Sequence, residues 1–146
     1  MAFELELPMG PPEQAFVATG LAVDDGAICP SGTWLGVRNE DLDGQEMSHE
    51  QWADVFDAAM ENGGVAEARG FREFACADGS GTLEIEDHAY LDFSVIDAST
   101  YGSETVQWGT FTISGTGDFA SLSGSGDEFI DFAQESFVFT GEAANG

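Results

Sequence analysis

"CADGSGTLEIEDHAYLDF", residues 76–93, decides how this chain is read. It opens with a cysteine, passes an Asp78-Gly79 pair that suits a hairpin turn, and then alternates. Leu83, Ile85, Ala89, Leu91 and Phe93 share one face of the implied strand; Glu84, Glu86, His88, Tyr90 and Asp92 share the other. One residue breaks the rule. Asp87 has the parity of the apolar face. If that face lines an interior, Asp87 is a carboxyl in apolar surroundings, a setting that suits an acid to proton transfer. The competing reading is a β-bulge or a rim position that turns Asp87 towards water.

The same alternation continues on both sides. Phe3, Leu5 and Leu7 alternate with Glu4 and Glu6, and a turn is expected at residues 8–13. Residues 14–26, "QAFVATGLAVDDG", read as a second strand ending at Asp25-Gly26. Residues 27–37, "AICPSGTWLGV", read as a third, with Ser31-Gly32 as a turn or bulge. Beyond residue 70 the expected strands are "FREFACA" (71–77), "TLEIEDHAYLDFSVI" (82–96), "TVQWGTFTIS" (105–114) and "EFIDFAQESFVFTGE" (128–142). "SGTGDFASLSGSG", residues 114–126, reads as a compact glycine-bounded connection.

Between the early and late strands the period changes. Trp52, Val55, Phe56, Ala59 and Met60 recur at helical spacing. Ser48 stands at the N-cap position with Gln51 three residues on, the capping-box pattern, and Gly63-Gly64 can end the helix. Sequential long strands joined by tight turns imply a mainly β fold: a closed or nearly closed antiparallel meander barrel of about eight strands. The one amphipathic helix would pack on its wall or over an open end. All 146 residues form a single domain, with a loop-plus-helix insertion at about 39–64.

Composition limits the function classes. The chain has 28 acids against three bases, Arg38, Arg69 and Arg72, no lysine, and a formal net charge of -25. Nucleic acid and anionic membranes would be repelled, because both are bound through Lys and Arg clusters. Such a surface also repels itself, so stability is expected to rise with ionic strength; the simpler reading is a well-solvated surface, the sharper one a saline habitat or cation binding. The start of the chain has no basic n-region followed by an apolar run, so no signal peptide is read there.

Cys29 and Cys76 each end an apolar stretch just before a turn. A disulfide between them is the preferred reading, with two inert thiols as the other. A disulfide would place the protein outside the cytoplasm, extracellular or on the cell surface.

Two segments resemble a known superfamily. Gly115, Thr116, Gly117, Phe119, Gly124 and Gly126 fall in an order similar to that of the allene oxide cyclase-like and dirigent-like β-barrels. "CPSGT" (29–33) followed by Phe74, Cys76 and "DGSGT" (78–82) resembles small secreted bacterial members of that barrel type. The resemblance implies a barrel that can hold a small apolar molecule. It carries over no catalytic residue, because what is shared is structural glycine.

Candidate sites follow. Trp108, Phe111 and Phe132 are candidates to contact an apolar ligand in the lumen, and Asp87 is the candidate catalytic acid. Asn39, Asp41, Asp43, Gly44 and Glu50 fall at positions 1, 3, 5, 6 and 12 of an EF-hand calcium loop. That loop departs from the pattern at Asn39 and Glu46 and lacks a preceding helix; the simpler reading is an acid-rich turn leading into a capped helix. The leading expectation is a non-catalytic barrel that binds a small apolar molecule or serves an interaction role, with no cofactor required. Alternatives are a cyclase- or isomerase-like enzyme and a calcium-binding loop.

Overall fold

The computed structural model describes residues 1–9, 15–96 and 105–146. Eight long strands form the wall: β1 (Ala2–Pro8), β2 (Ala15–Thr19), β3 (Ser31–Glu40), β5 (Val65–Cys76), β6 (Gly81–Asp92), β7 (Thr105–Gly117), β8 (Leu122–Asp131) and β9 (Ser136–Asn145). A two-residue strand, β4 (Glu46–Met47), pairs with β3. The order β2-β1-β9-β8-β7-β6-β5-β3 is antiparallel throughout, and a β2–β3 pairing closes it into a barrel. The closing seam is short among the described residues, with β2 pairing β3 only at Ser31, Gly32 and Thr33.

Strand alternation is the dominant local signal, and it sorts residues as expected in β1 and β6. Phe3, Leu5 and Leu7 face inward, as do Leu83, Ile85, Ala89 and Leu91. Several boundaries differ from the sequence reading. The second strand stops at Thr19, and Leu21–Asp24 form a one-turn helix, α1, whose Ala22 is buried. Residues 27–30 are not strand; β3 begins at Ser31 and runs through Gly32 without a turn, its irregularity falling between Trp34 and Gly36. β5 begins at Val65, six residues earlier than expected. The glycine-rich stretch 114–126 is mostly strand, with only Asp118–Ser121 as the turn between β7 and β8. The expected strand 128–142 is two strands, broken at a turn where Glu135 takes a positive φ of 50°. The turn expected at 8–13 lies mostly outside the described residues.

The helix stands where its periodicity placed it: α2 spans His49–Asn62. Ser48 Oγ accepts from the Gln51 amide at 3.1 Å, and Gln51 Oε1 accepts from the Ser48 amide at 2.8 Å, completing the capping box. Gly63 ends the helix in the left-handed conformation (φ 62°), which a side chain would disfavour. Trp52 and Phe56 turn the apolar stripe onto one end of the barrel, where they meet Trp108 and Phe93 edge to face at 5.8 and 5.4 Å.

The interior divides into two apolar clusters. The larger lies at the disulfide end and includes Phe3, Phe16, Phe74, Phe111 and Phe139. Its rings interlock edge to face, with centroids 5.2–5.9 Å apart. The smaller lies under α2 and is built from Ala89, Leu91, Val106, Trp108 and Ile130. Cys29 and Cys76 form a disulfide with Cα atoms 6.0 Å apart, tying the segment before β3 to the end of β5. A disulfide is more typical of extracellular proteins. Among the described residues no helix is long and apolar enough to cross a membrane.

Candidate functional site

Between the two clusters lies a charged layer. Asp87 points inward, with 3% of its surface exposed. Register with β5 and with β7 is unbroken around it, so no bulge turns it to water. It does not stand in purely apolar surroundings. The Arg72 guanidinium donates through Nη1 to Asp87 Oδ2, and through the same nitrogen to Glu128 Oε1 at 3.0 Å. Arg72 is nearly buried and Glu128 wholly so. The guanidinium also lies 5.3 Å from the Phe137 ring centre and 5.6 Å from that of Phe139.

Alternation explains how all three reach the interior. In β5 the inward residues are Ala66, Ala68, Gly70, Arg72, Phe74 and Cys76. In β8, Leu122, Glu128 and Ile130 share one parity. Burial withdraws water from Arg72 and opposes its charge, but the paired Asp87 and Glu128 carboxylates outweigh this and raise its pKa, so it stays a cation. Glu128 goes the other way. Burial pushes its pKa well above the ordinary carboxyl range; Arg72 pulls it down and the neighbouring Asp87 adds to the rise. The acid whose pKa burial raises is therefore Glu128, which the sequence reading did not single out.

Above this layer, under α2, a chamber of about 190 Å³ opens. Trp34, Trp52, Trp108 and Phe137 supply aromatic walls, Ala68 and Ala89 leave the room, and Arg72 and Asp87 contribute charge. Asn39 and His49 also line it. Two strand irregularities stand beside it. Register shifts between Trp34 and Gly36 in β3, and between Gln107 and Gly109 in β7. A bulge re-aims the side chain it carries and reverses parity beyond it. In β7 this lets Trp108 and Phe111, three residues apart, both face inward.

Three polar atoms on the lining residues have no hydrogen-bond partner among the described residues: Trp34 Nε1, Trp108 Nε1 and Asp87 Oδ1. A buried donor or acceptor left unpaired costs about 1–3 kcal/mol. Each of the three is sealed from water-sized space, so it lies within the wall and not at the chamber surface.

The structure separates the three ligand candidates. Trp108 lines the chamber. Phe111 lies in the packed cluster at the disulfide end, edge to face with Phe3 and Phe139. Phe132 packs against the smaller cluster. Phe129 sits only half-buried because it has the opposite parity to Glu128 and Ile130.

The loop at 39–50 is a hairpin. Asn39 pairs with Met47 and Glu40 with Glu46. Asp41 Oδ1 accepts from the amides of Asp43 and Gln45, both at 2.9 Å, so this oxygen holds the turn. Glu50 lies in the first turn of α2. Among the described residues no three acidic, histidine or cysteine side chains gather as metal ligands, and the candidate set Asn39, Asp41, Asp43 and Glu50 is not brought together.

An antiparallel eight-stranded barrel with an aromatic chamber at one end is thus the class that fold and site define. Compared with protein families, curated proteins and solved structures, the chain matches none.

Proposed function

We propose that the protein binds a small, largely apolar ring compound in the chamber beneath α2. The observation that carries this is the chamber itself: about 190 Å³, walled by Trp34, Trp52, Trp108 and Phe137. An apolar cavity of roughly 150 Å³ accepts a benzene ring, so this one suits a single ring with one or two small substituents. Small-molecule sites are typically concave and mostly apolar, with a few polar groups that fix orientation. A cyclase- or isomerase-like activity would rest on Asp87. That carboxylate is already engaged by the Arg72 guanidinium, so the reading rests on binding and not on chemistry at Asp87.

The chain has three tryptophans, and all three line the chamber. Their emission therefore reports on this site alone. Titration with toluene should shift or quench that emission saturably and raise the thermal midpoint. Filling the room with Ala89→Leu should abolish the response while the far-ultraviolet dichroism stays β. No saturable change up to the solubility of toluene would overturn the reading.

A further inference from the structure

The charged layer opens to the chamber through its arginine. We infer that the chamber's ligand is an uncharged aryl carbonyl compound, a flat ring among the indoles whose carbonyl oxygen accepts from the unused N–H groups of Arg72. This inference rests on the chamber being a ligand site, and it names the class of ligand.

Arg72 has donors in reserve. A guanidinium carries five N–H groups, and Arg72 uses only Nη1 on Asp87 and Glu128. Its Nε and Nη2 make no hydrogen bond among the described residues. The buried polar atoms there that lack both a partner and accessible surface belong to Trp34, Asp87, Trp108, Glu128 and Ser136, and none to Arg72. The unused nitrogens of Arg72 therefore touch open space. Its side chain keeps 10% of its surface accessible, against 1% for Asp87 and 0% for Glu128. That side chain points inward and lines the chamber, so the accessible part faces it.

Those donors select the partner. Nε–H and one Nη2–H point the same way in the guanidinium plane, a fork that suits an oxygen with two in-plane lone pairs. A hydrocarbon would cover this edge and leave its donors unpaired. An anion is disfavoured, because Asp87 and Glu128 already hold the arginine and the chain carries a net charge of -25. A cation would meet the Arg72 charge. An alcohol or phenol brings a hydroxyl donor, and the unpaired carboxylate oxygens of the layer are sealed from it. A carbonyl accepts and brings no donor. Conjugation keeps it in the plane of its ring. Trp52 and Trp108 stand at 83° to each other and Trp108 and Phe137 at 55°, so a thin ring can lie along one wall with its edge on another.

The test is calorimetry on the whole chain with four single-ring probes of similar size. Benzaldehyde has the carbonyl, and the chain has no lysine to trap it as an imine. Styrene has the same flat shape with carbon in place of oxygen. Benzyl alcohol puts a donor on the oxygen, and benzoate adds a negative charge. Benzaldehyde should bind about tenfold or more tightly than each of the others, the effect of a hydrogen bond from a charged donor. Its carbonyl stretch, read by infrared spectroscopy, should fall below the value in hexane once it is bound. Arg72→Met with Asp87→Leu removes both halves of the ion pair, so neither charge is stranded, and leaves Glu128 as the neutral acid that burial favours. This double variant should bring benzaldehyde down to the affinity of styrene. If another probe matches benzaldehyde in the parent chain, or the stretch stays at its hexane value, the carbonyl inference falls while the chamber remains a ligand site. The same follows if the folded double variant keeps the preference. If neither these four nor toluene binds, both readings fall together.

Discussion

Gly70 lies directly opposite Asp87 in the β5–β6 register, and a methyl group on its Cα would stand 2.3 Å from Asp87 Oδ1. No real side chain tolerates that distance. The glycine makes the space in which an inward carboxylate can lie against the wall and reach Arg72. Gly70→Ala should therefore displace Asp87 from its ion pair and destabilise the barrel by about 1–3 kcal/mol, the usual cost of overpacking. Urea denaturation measures this. An unchanged midpoint would mean that the Asp87 side chain is free to move and that the charged layer is not rigid.

Glu128 makes a second prediction, in pH. Its folded pKa is raised, first by burial, above the ordinary value of 4.5. The folded chain thus holds a proton that the unfolded chain releases near that value. The stabilising contribution is fully present below the ordinary carboxyl range and is lost as pH rises through the folded value. Glu128→Gln cannot ionise, so its stability should fall less between pH 5 and pH 9 than that of the parent chain. Parallel slopes for the two proteins in urea midpoints across that range would show that Glu128 carries no such burden.

The charged layer also shows what the sequence revealed and what it hid. Asp87 was visible because its neighbours in β6 alternate without interruption, so one wrong-parity residue stands out. Arg72 and Glu128 carried the same signal. Arg72 shares parity with Phe74 and Cys76, and Glu128 with Leu122 and Ile130. In β5 the small inward residues Ala66, Ala68 and Gly70 weaken the apolar pattern, and Gly124 and Gly126 do the same in β8. Read together, an inward base and two inward acids would have suggested a buried ion cluster. The helix was legible because its cap, stripe and terminating glycine agree. The chamber was not. It depends on bulges beside Trp34 and Trp108 and on α2 folding back over the barrel, and strand periodicity encodes none of these.

Salt should stabilise the protein. With 28 acids and three bases on one small barrel, like charges repel across the whole surface. Adding salt shortens the reach of that repulsion from about 30 Å at 0.01 M to about 3 Å at 1 M. The thermal midpoint should climb steeply at low sodium chloride and level off once the screening length falls below the spacing of surface carboxylates. A midpoint that does not move over this range would show that the charges are already too well solvated to oppose folding.

The disulfide permits the remaining prediction, because its place in the barrel separates stability from the site. Cys76 pairs with Gly32 in the β3–β5 ladder, and Cys29 lies just upstream in a segment that is not strand. The bond spans 47 positions of sequence and sits in the cluster at the far end from α2. Constraining a loop of that length in the unfolded chain contributes about 4 kcal/mol on the chain-entropy account. Cys29→Ser with Cys76→Ser should lower unfolding stability by up to that amount. The chamber is held instead by the bulges in β3 and β7, the charged layer and α2, none of which includes a cysteine. The double variant, while still folded at low temperature, should therefore keep the parent's tryptophan emission and its response to toluene. Loss of that response in a protein that remains cooperatively folded would mean that the two ends of the barrel are coupled through the strands, and that the disulfide helps to shape the site.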